Sequence, residues 1–329
     1  MDSTRVEVGE GGEGQRLDRF LADQLSISRA RVRHLLEFGR IRHGERTLGL
    51  ADKSHATALG EVFEIDGSIL AADERPIPRP DLPLEVLAEG RGWLVVDKPP
   101  GCGVHPLRPD QDDTVLNAVV ARHPEIVGVG EGGLRSGVVH RLDVETTGAL
   151  AFATNEQLWK RLRGAFSEHR VRKTYLALVK GRFEARKRVE VSLAVAQHRP
   201  ARVRVVDTGG TVCRQRVTPK RVFSNATLVE IELETGFLHQ IRATLSHLGH
   251  PVLGDADYGA EAIGHGTGGE EQASPIAASR PLLHAARLSV DEIAVRVDPP
   301  ADFTAAVEHL EALETSEGSD SSNARDLRE

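Results

Sequence analysis

Leu17, Phe20, Leu21 and Leu25 recur at helical spacing, and this predicts a first helix over Leu17 to Leu25. A second helix is predicted from an N-cap at Ser28 through Val32, Leu35 and Leu36, with Gly39 as its stop. Short strand candidates follow as far as Asp66. Periodicity then lapses between Ala71 and Pro83, where Pro76, Pro78, Pro80 and Pro83 stand among charges and predict a stiff linker. Beyond it, Leu84–Ala88, Trp93–Val96, Ala149–Ala153, Thr174–Val179 and Thr227–Leu233 have strand texture. Thr114–Arg122, Glu156–His169 and His239–Leu248 have helical texture. Runs of strands with occasional helices predict a mixed α+β domain rather than a regular βαβ repeat. The Gly-rich, polar stretch from Glu261 to Ala278 reads as an exposed insertion, and the Ser-, Glu- and Asp-rich end from Glu314 onward as disordered.

The expected layout is a flexible N-terminus over 1–14, a small α/β domain over 15–67, a linker over 68–83, a large domain over 84–312 and a disordered tail over 313–329. No internal repeat is visible. A chain of 329 residues can bury a sizeable core in more than one domain. Its formal charge of −7 argues against a wholly basic nucleic-acid coat but leaves room for a basic face. Arg29, Arg31, Arg33, Arg40 and Arg42 supply one, crowding the second helix and its exit with only Glu37 against them. Such a run is either a solvated helix face or a phosphate-binding one. Cys102 and Cys213 are too few for a disulfide framework and lack structural-zinc spacing. A reducing cytoplasm is expected, and no run approaches membrane-spanning length.

The candidate chemistry lies in Gly137–Gly148, where His140, Arg141, Asp143 and Glu145 form a polar cluster between two apolar runs. Loops on a rigid scaffold commonly carry reacting groups, so Asp143 is the first candidate nucleophile. Three other segments share the texture of charges and aromatics set in turns: Asp97–Gly101 with Val104-His105-Pro106, Arg172–Ala177, and Glu234–Arg242. Together they offer a carboxylate, a phenol and several cations, enough for a cofactor-free site on an anionic substrate. His239, His247, His250 and His284 lack HExxH spacing and an obvious completing carboxylate or Cys, so no metal is expected.

These segments closely resemble the RluA-type family of pseudouridine synthases. His140-Arg141-Leu142-Asp143 with Thr147-Gly148 resembles the signature block, followed in order by Lys173-Thr174-Tyr175 and His239-Gln240-Ile241-Arg242. Gly249-His250-Pro251, Gly254-Asp255, Tyr258-Gly259 and Leu283-His284-Ala285 extend the resemblance over most of Leu84 to Val297. The segment before it resembles the small S-four-type RNA-binding domain through Arg16–Leu21, Ser28–Val32, Glu37–Ile41 and Glu61-Val62-Phe63. The resemblance implies a mainly antiparallel mixed sheet and a cofactor-free conversion of uridine to pseudouridine in structured RNA. Large-subunit ribosomal RNA is the first expected substrate and transfer RNA the second, with the protein acting as a monomer.

The resemblance also implies roles. Asp143 acts on the ribose, as a covalent catalyst or by assisting a glycal intermediate. Arg242 pairs bidentately with it and offsets the cost of an ionised buried carboxylate. Tyr175 lines the uracil pocket. Arg141 fills the space left by the flipped nucleotide, and Lys98, His105 and Lys173 contact backbone or pocket. Arg29, Arg31, Arg33 and Arg40 would meet RNA through the small domain. Against the family pattern, Phe237 stands where a basic residue is common, Thr147 replaces Ser, and Ala149 and Ala151 replace bulkier aliphatics. A non-catalytic RNA-binding factor, or a glycosidase using Glu145 as a second carboxylate, are the rival classes.

Overall fold

The computed structural model describes residues 3–25, 27, 29–66, 75–198, 200–259 and 278–323. Ser28, the expected N-cap, and nearly all of the Glu261–Ala278 insertion lie outside the described residues. Two compact units divide the chain: Met1–Arg75 with Glu131–Ser136, and Pro76–Gly130 with Gly137–Glu329.

In the first unit the helices Leu17–Leu25 and Arg29–Glu37 bury Leu17, Phe20, Leu21, Val32, Leu35 and Leu36 against Ile41, Phe63 and Ile65. The latter three belong to an antiparallel sheet of β1 (Ser3–Glu7), β2 (Ile41–His43), β3 (Arg46–Leu48) and β4 (Val62–Asp66), in the order β1-β4-β2-β3. β1 falls in the stretch expected to be flexible. It nevertheless pairs with β4 from Ser3↔Asp66 to Glu7↔Val62, because Val6 and Val8 alternate with polar residues and can bury on one side. Asp18, 1% exposed, accepts from Arg16 Nε at 3.1 Å and Arg29 Nη2 at 2.8 Å.

The second unit is built on a large sheet. Its strands are β5 (Glu85–Gly90), β6 (Trp93–Lys98), β7 (Thr147–Ala153), β8 (Arg172–Lys180), β9 (Lys187–His198), β10 (Ala201–Val205), β11 (Thr211–Val222), β12 (Ala226–Leu233), β13 (Leu283–Val290) and β14 (Ile293–Arg296). They run in the order β10-β9-β11-β12-β8-β13-β7-β6-β5, with β14 on β13. Among the described residues every pairing between these strands is antiparallel except β13 with β7. β7 is buried on both faces, which is why it reads as an unbroken apolar run. Leu150 and Phe152 meet a core with Tyr175, Val119 and Ile241, while Ala149, Ala151 and Ala153 meet Leu158 and Leu162 of the helix Glu156–Ser167. The small residues at Ala149 and Ala151 thus sit beneath that helix.

β9, β10 and β11 were not expected from periodicity. The exposed faces of β9 and β11 carry charge pairs, Arg188–Glu234, Arg214–Glu190 and Arg216–Glu232, so their sequence carries as much charge as a loop. The proline segment expected as a spacer is partly tied down. Asn117 donates to Ile77 O at 2.8 Å and Arg79 pairs with Asp112 at 2.5 Å. The end of the chain differs too: a helix over Ala301–Asn323 passes the expected start of disorder, anchored by Phe303, Ala306 and Leu310 against Leu178, Phe223 and Leu282.

Candidate active site

The loop bearing Asp143 is set by what surrounds it. Gly137 (φ 69°) packs where a Cβ would strike Ile126 and the Ala153 carbonyl, and at Gly148 (φ 110°) a Cβ would collide with the Ala285 backbone. The second approach explains the glycine after Thr147: it lets β7 lie parallel beside β13 at the seam. Thr147 Oγ1 meets His284 Nδ1 at 2.9 Å, and His284 Nε2 meets Val297 O at 3.1 Å, so this buried histidine is spent on joining strands. His140 Nε2 accepts the Ala151 N–H at 2.9 Å while its ring stacks on Phe166. Burial, with the charges of Lys173 and Arg163, pushes the His140 imidazole down to about 3, so it is a neutral structural group.

Two buried cations grip the loop immediately after Asp143. Lys98 is fully buried and donates to Val144 O and Pro99 O, both at 2.7 Å. Arg280, absent from the sequence expectations, donates to Glu145 O at 3.1 Å while its fork binds Asp302 at 2.7 and 2.9 Å. Lys98 was expected to contact RNA. A fully buried amine engaged with two carbonyls instead supports the loop, and burial lowers it to about 8.

Asp143 is 24% exposed, and its Oδ2 lies 3.4 Å from Arg242 Nη1. The expected bidentate pairing is not what forms. The fork of Arg242 goes to Asp255, Nε to Oδ2 at 2.7 Å and Nη2 to Oδ1 at 2.8 Å, and Nη2 also reaches Asp257 at 3.1 Å. The competing carboxylates stand on the turn that follows the helix Gln240–His247, within reach of the face carrying Arg242. Burial alone would lower the Arg242 guanidinium, but the hydrogen bonds and charge of Asp255, with Asp143 and Asp257, raise it further. One guanidinium therefore orients three carboxylates, of which Asp143 is the one held by a single long contact.

Tyr175, on β8, is buried in the core beside this site, and burial together with the charge of Asp143 raises its phenol. Lys173, two residues earlier and on the same face, places Nζ 3.3 Å from Thr235 O, and burial lowers it to about 8. His105 is buried. Arg141 is exposed, with no ion pair or side-chain hydrogen bond among the described residues. Asp143, Tyr175 and Arg242 are thus brought together, with Lys173 beside Tyr175 and Lys98 behind the loop. Arg29, Arg31, Arg33 and Arg40 belong to the first unit, where Arg29 is engaged with Asp18 and Arg33 donates to Arg29 O at 3.2 Å.

Asp255, Asp257, Tyr258 and His239 complete the surroundings. His239 stands in the charged Glu234–Arg242 segment and among the candidate histidines, Asp255 and Tyr258 enter through the motif resemblance, and Asp257 carries no signal, because a partner in a turn leaves no periodic trace. Of the other candidate histidines, His250 places Nδ1 on Lys180 O at 2.9 Å. Among the described residues no three His, Cys, Asp or Glu side chains converge as metal ligands.

The sequence of residues 92–247, which carries Asp143, Tyr175 and Arg242, matches the family model of the RNA pseudouridylate synthases. The chain belongs to the RNA pseudouridine synthase family, of RluA type, and its reaction class is the isomerisation of uridine in RNA. It is 32% identical over 299 residues to ribosomal large subunit pseudouridine synthase D of Zymomonas mobilis, covering 88% of this chain and 89% of the relative. The protein of the same name from Yersinia pestis is 34% identical, covering 77% and 75%. Human RNA pseudouridylate synthase domain containing 4 shares the fold, with a TM-score of 0.53 at 20% identity, over 69% of this chain and 93% of that one.

Proposed function

We propose that this protein isomerises specific uridines of large-subunit ribosomal RNA, with Asp143 as the group that acts on the ribose. The carrying observation is the Asp143 carboxylate, partly exposed and tethered to the buried Arg242 by one N–H at 3.4 Å. The single long tether orients the carboxylate while leaving it lone pairs for the ribose. Tyr175 supplies one wall of the uracil pocket and Lys173 and His105 its polar edge. Arg141, exposed next to the loop, takes the place of the extruded nucleotide, whose unstacking costs about a few kcal/mol.

The large-subunit substrate stands ahead of transfer RNA because the Zymomonas and Yersinia relatives carry that substrate in their names. The first unit, with Arg29, Arg31, Arg33 and Arg40 near the exposed Phe38, serves as an S-four-type dock offering charge to phosphates and a ring to a base. On this reading the protein works as a monomer in the cytoplasm.

Pseudouridine mapping across all RNA from a deletion strain, complemented with wild type or with Asp143→Asn, tests it. Wild type restores pseudouridine at defined positions of the large-subunit RNA, and Asp143→Asn restores none while still binding that RNA. Modification surviving in the variant would remove Asp143 from the role. Restoration confined to transfer RNA would move the substrate.

A further inference from the structure

His239 precedes the helix Gln240–His247 in a left-handed conformation (φ 48°, ψ 23°), which costs a non-glycine residue about 1 kcal/mol. That turn directs a largely buried ring between two partners. Nδ1 lies 2.9 Å from Tyr258 Oη, and Nε2 lies 4.0 Å from Asp143 Oδ1. Tyr258 is 1% exposed, and its Oη already accepts the Val203 N–H at 3.0 Å. Among the described residues the remaining acceptor for the phenolic proton is His239 Nδ1, so a buried O–H is satisfied only if Tyr258 donates to it. The proton of a neutral His239 therefore sits on Nε2, facing Asp143. Arg242 addresses the other carboxylate oxygen, Oδ2, so the two oxygens of Asp143 meet two different donors.

We propose that His239 is a positioning residue for Asp143: Tyr258 fixes its tautomer so that Nε2–H faces Oδ1 and closes onto it when substrate fills the pocket. The inference rests on the reading of Asp143 given above. At 4.0 Å the contact is longer than a hydrogen bond, and catalytic contacts of this kind tighten in the substrate complex. The charged groups facing the ring are Asp143 from the loop, Arg242 from its own helix, and Asp255 and Asp257 from the turn that also carries Tyr258. Burial, with Arg242, outweighs the pull of the three carboxylates and lowers the imidazole, which keeps it a neutral donor at neutral pH.

The test uses the full-length protein, an unmodified transcript of its large-subunit RNA, and three variants. His239→Asn suits the left-handed backbone and still reaches Tyr258, but its amide is too short for Asp143. His239→Gln restores an N–H at the Nε2 position. Tyr258→Phe frees the tautomer. His239→Asn lowers kcat by about tenfold to a hundredfold, with KM within about twofold and RNA affinity unchanged. Glutamine recovers most of the loss, and Tyr258→Phe falls between.

Imidazole 15N shifts, assigned by difference from His239→Asn, show the neutral Nε2–H form in the free protein and lose it in Tyr258→Phe. Wild-type kcat in His239→Asn, a loss carried by KM, no advantage of Gln over Asn, or an Nδ1–H or doubly protonated ring at neutral pH each overturns the proposal. If wild type itself makes no pseudouridine, the parent reading falls. If it does, Asp143→Asn does not and His239→Asn turns over at the wild-type rate, only this inference falls.

Discussion

Asp18 in the first unit and Asp143 in the second are both carboxylates held by arginine, and they are built in opposite senses. Asp18 is 1% exposed and takes charge from two arginines that are each half exposed. Its oxygens are saturated, and the cations reach out to water. Around Asp143 the arginine is the buried member, 8% exposed, and it is shared by three carboxylates. Arg242 satisfies Asp255 first, so Asp143 stays partly exposed on a loose tether. A closed ion pair fixes a fold; an over-subscribed cation leaves one acid loosely held, as the role proposed for Asp143 requires.

The largest effect expected from breaking this contrast is at Asp255. Asp255→Asn leaves the buried Arg242 without its main partner, and folding stability falls by about 3–5 kcal/mol, read by urea denaturation. Pseudouridine formation falls with it, since Arg242 then turns towards Asp143. A variant as stable as wild type would show that Arg242 does not depend on Asp255.

Asp18→Asn comes next. Both its partners are half exposed and screened, so the loss is about 1–2 kcal/mol, with kcat unchanged at saturating RNA. Burial alone would raise the Asp18 carboxyl, but hydrogen bonds and charge from Arg16 and Arg29 bring it below its ordinary 3.8. Its contribution is therefore complete above that value and lost as pH falls through the lower folded one. Acid denaturation curves of wild type and Asp18→Asn converge at low pH; parallel curves would contradict the pairing. The smallest effect is at Arg33. Arg33→Ala weakens RNA binding by about 0.5–1 kcal/mol and flattens its salt dependence by about one unit of slope, leaving stability and kcat alone. An unchanged salt slope would take Arg33 off the RNA-binding face.

What the sequence makes legible follows from range. The helices Leu17–Leu25 and Glu156–Ser167 and the strands β7, β8 and β12 carry their burial in local periodicity, and the structure places them within a few residues of expectation. β1 and β9 to β11 were opaque because their exposed faces are charged and their order depends on partners far along the chain. The site divides in the same way. Asp143, Tyr175 and Arg242 stand in recognisable motifs and converge in space. The division of Arg242 between Asp255, Asp257 and Asp143 depends on how a turn folds back, which no spacing rule encodes. Arg280 is more extreme: its sequence neighbourhood is ordinary, and its meaning appears only beside Asp302 and the Glu145 carbonyl.

That last clamp has a bearing on when the protein can first work. The loop after Asp143 is gripped by Lys98 from upstream and by Arg280, which is itself oriented by Asp302 near the start of the final helix. Chains are synthesised from the N-terminus at about 5–20 residues per second, and earlier segments fold while later ones are still inside the ribosome. Strands β5 to β7 and β8 to β12 can pair as two separate groups during that interval, but β13, which joins them, and the second grip on the loop, which needs Asp302, come later. Until then the loop after Asp143 has the grip of Lys98 but not that of an oriented Arg280.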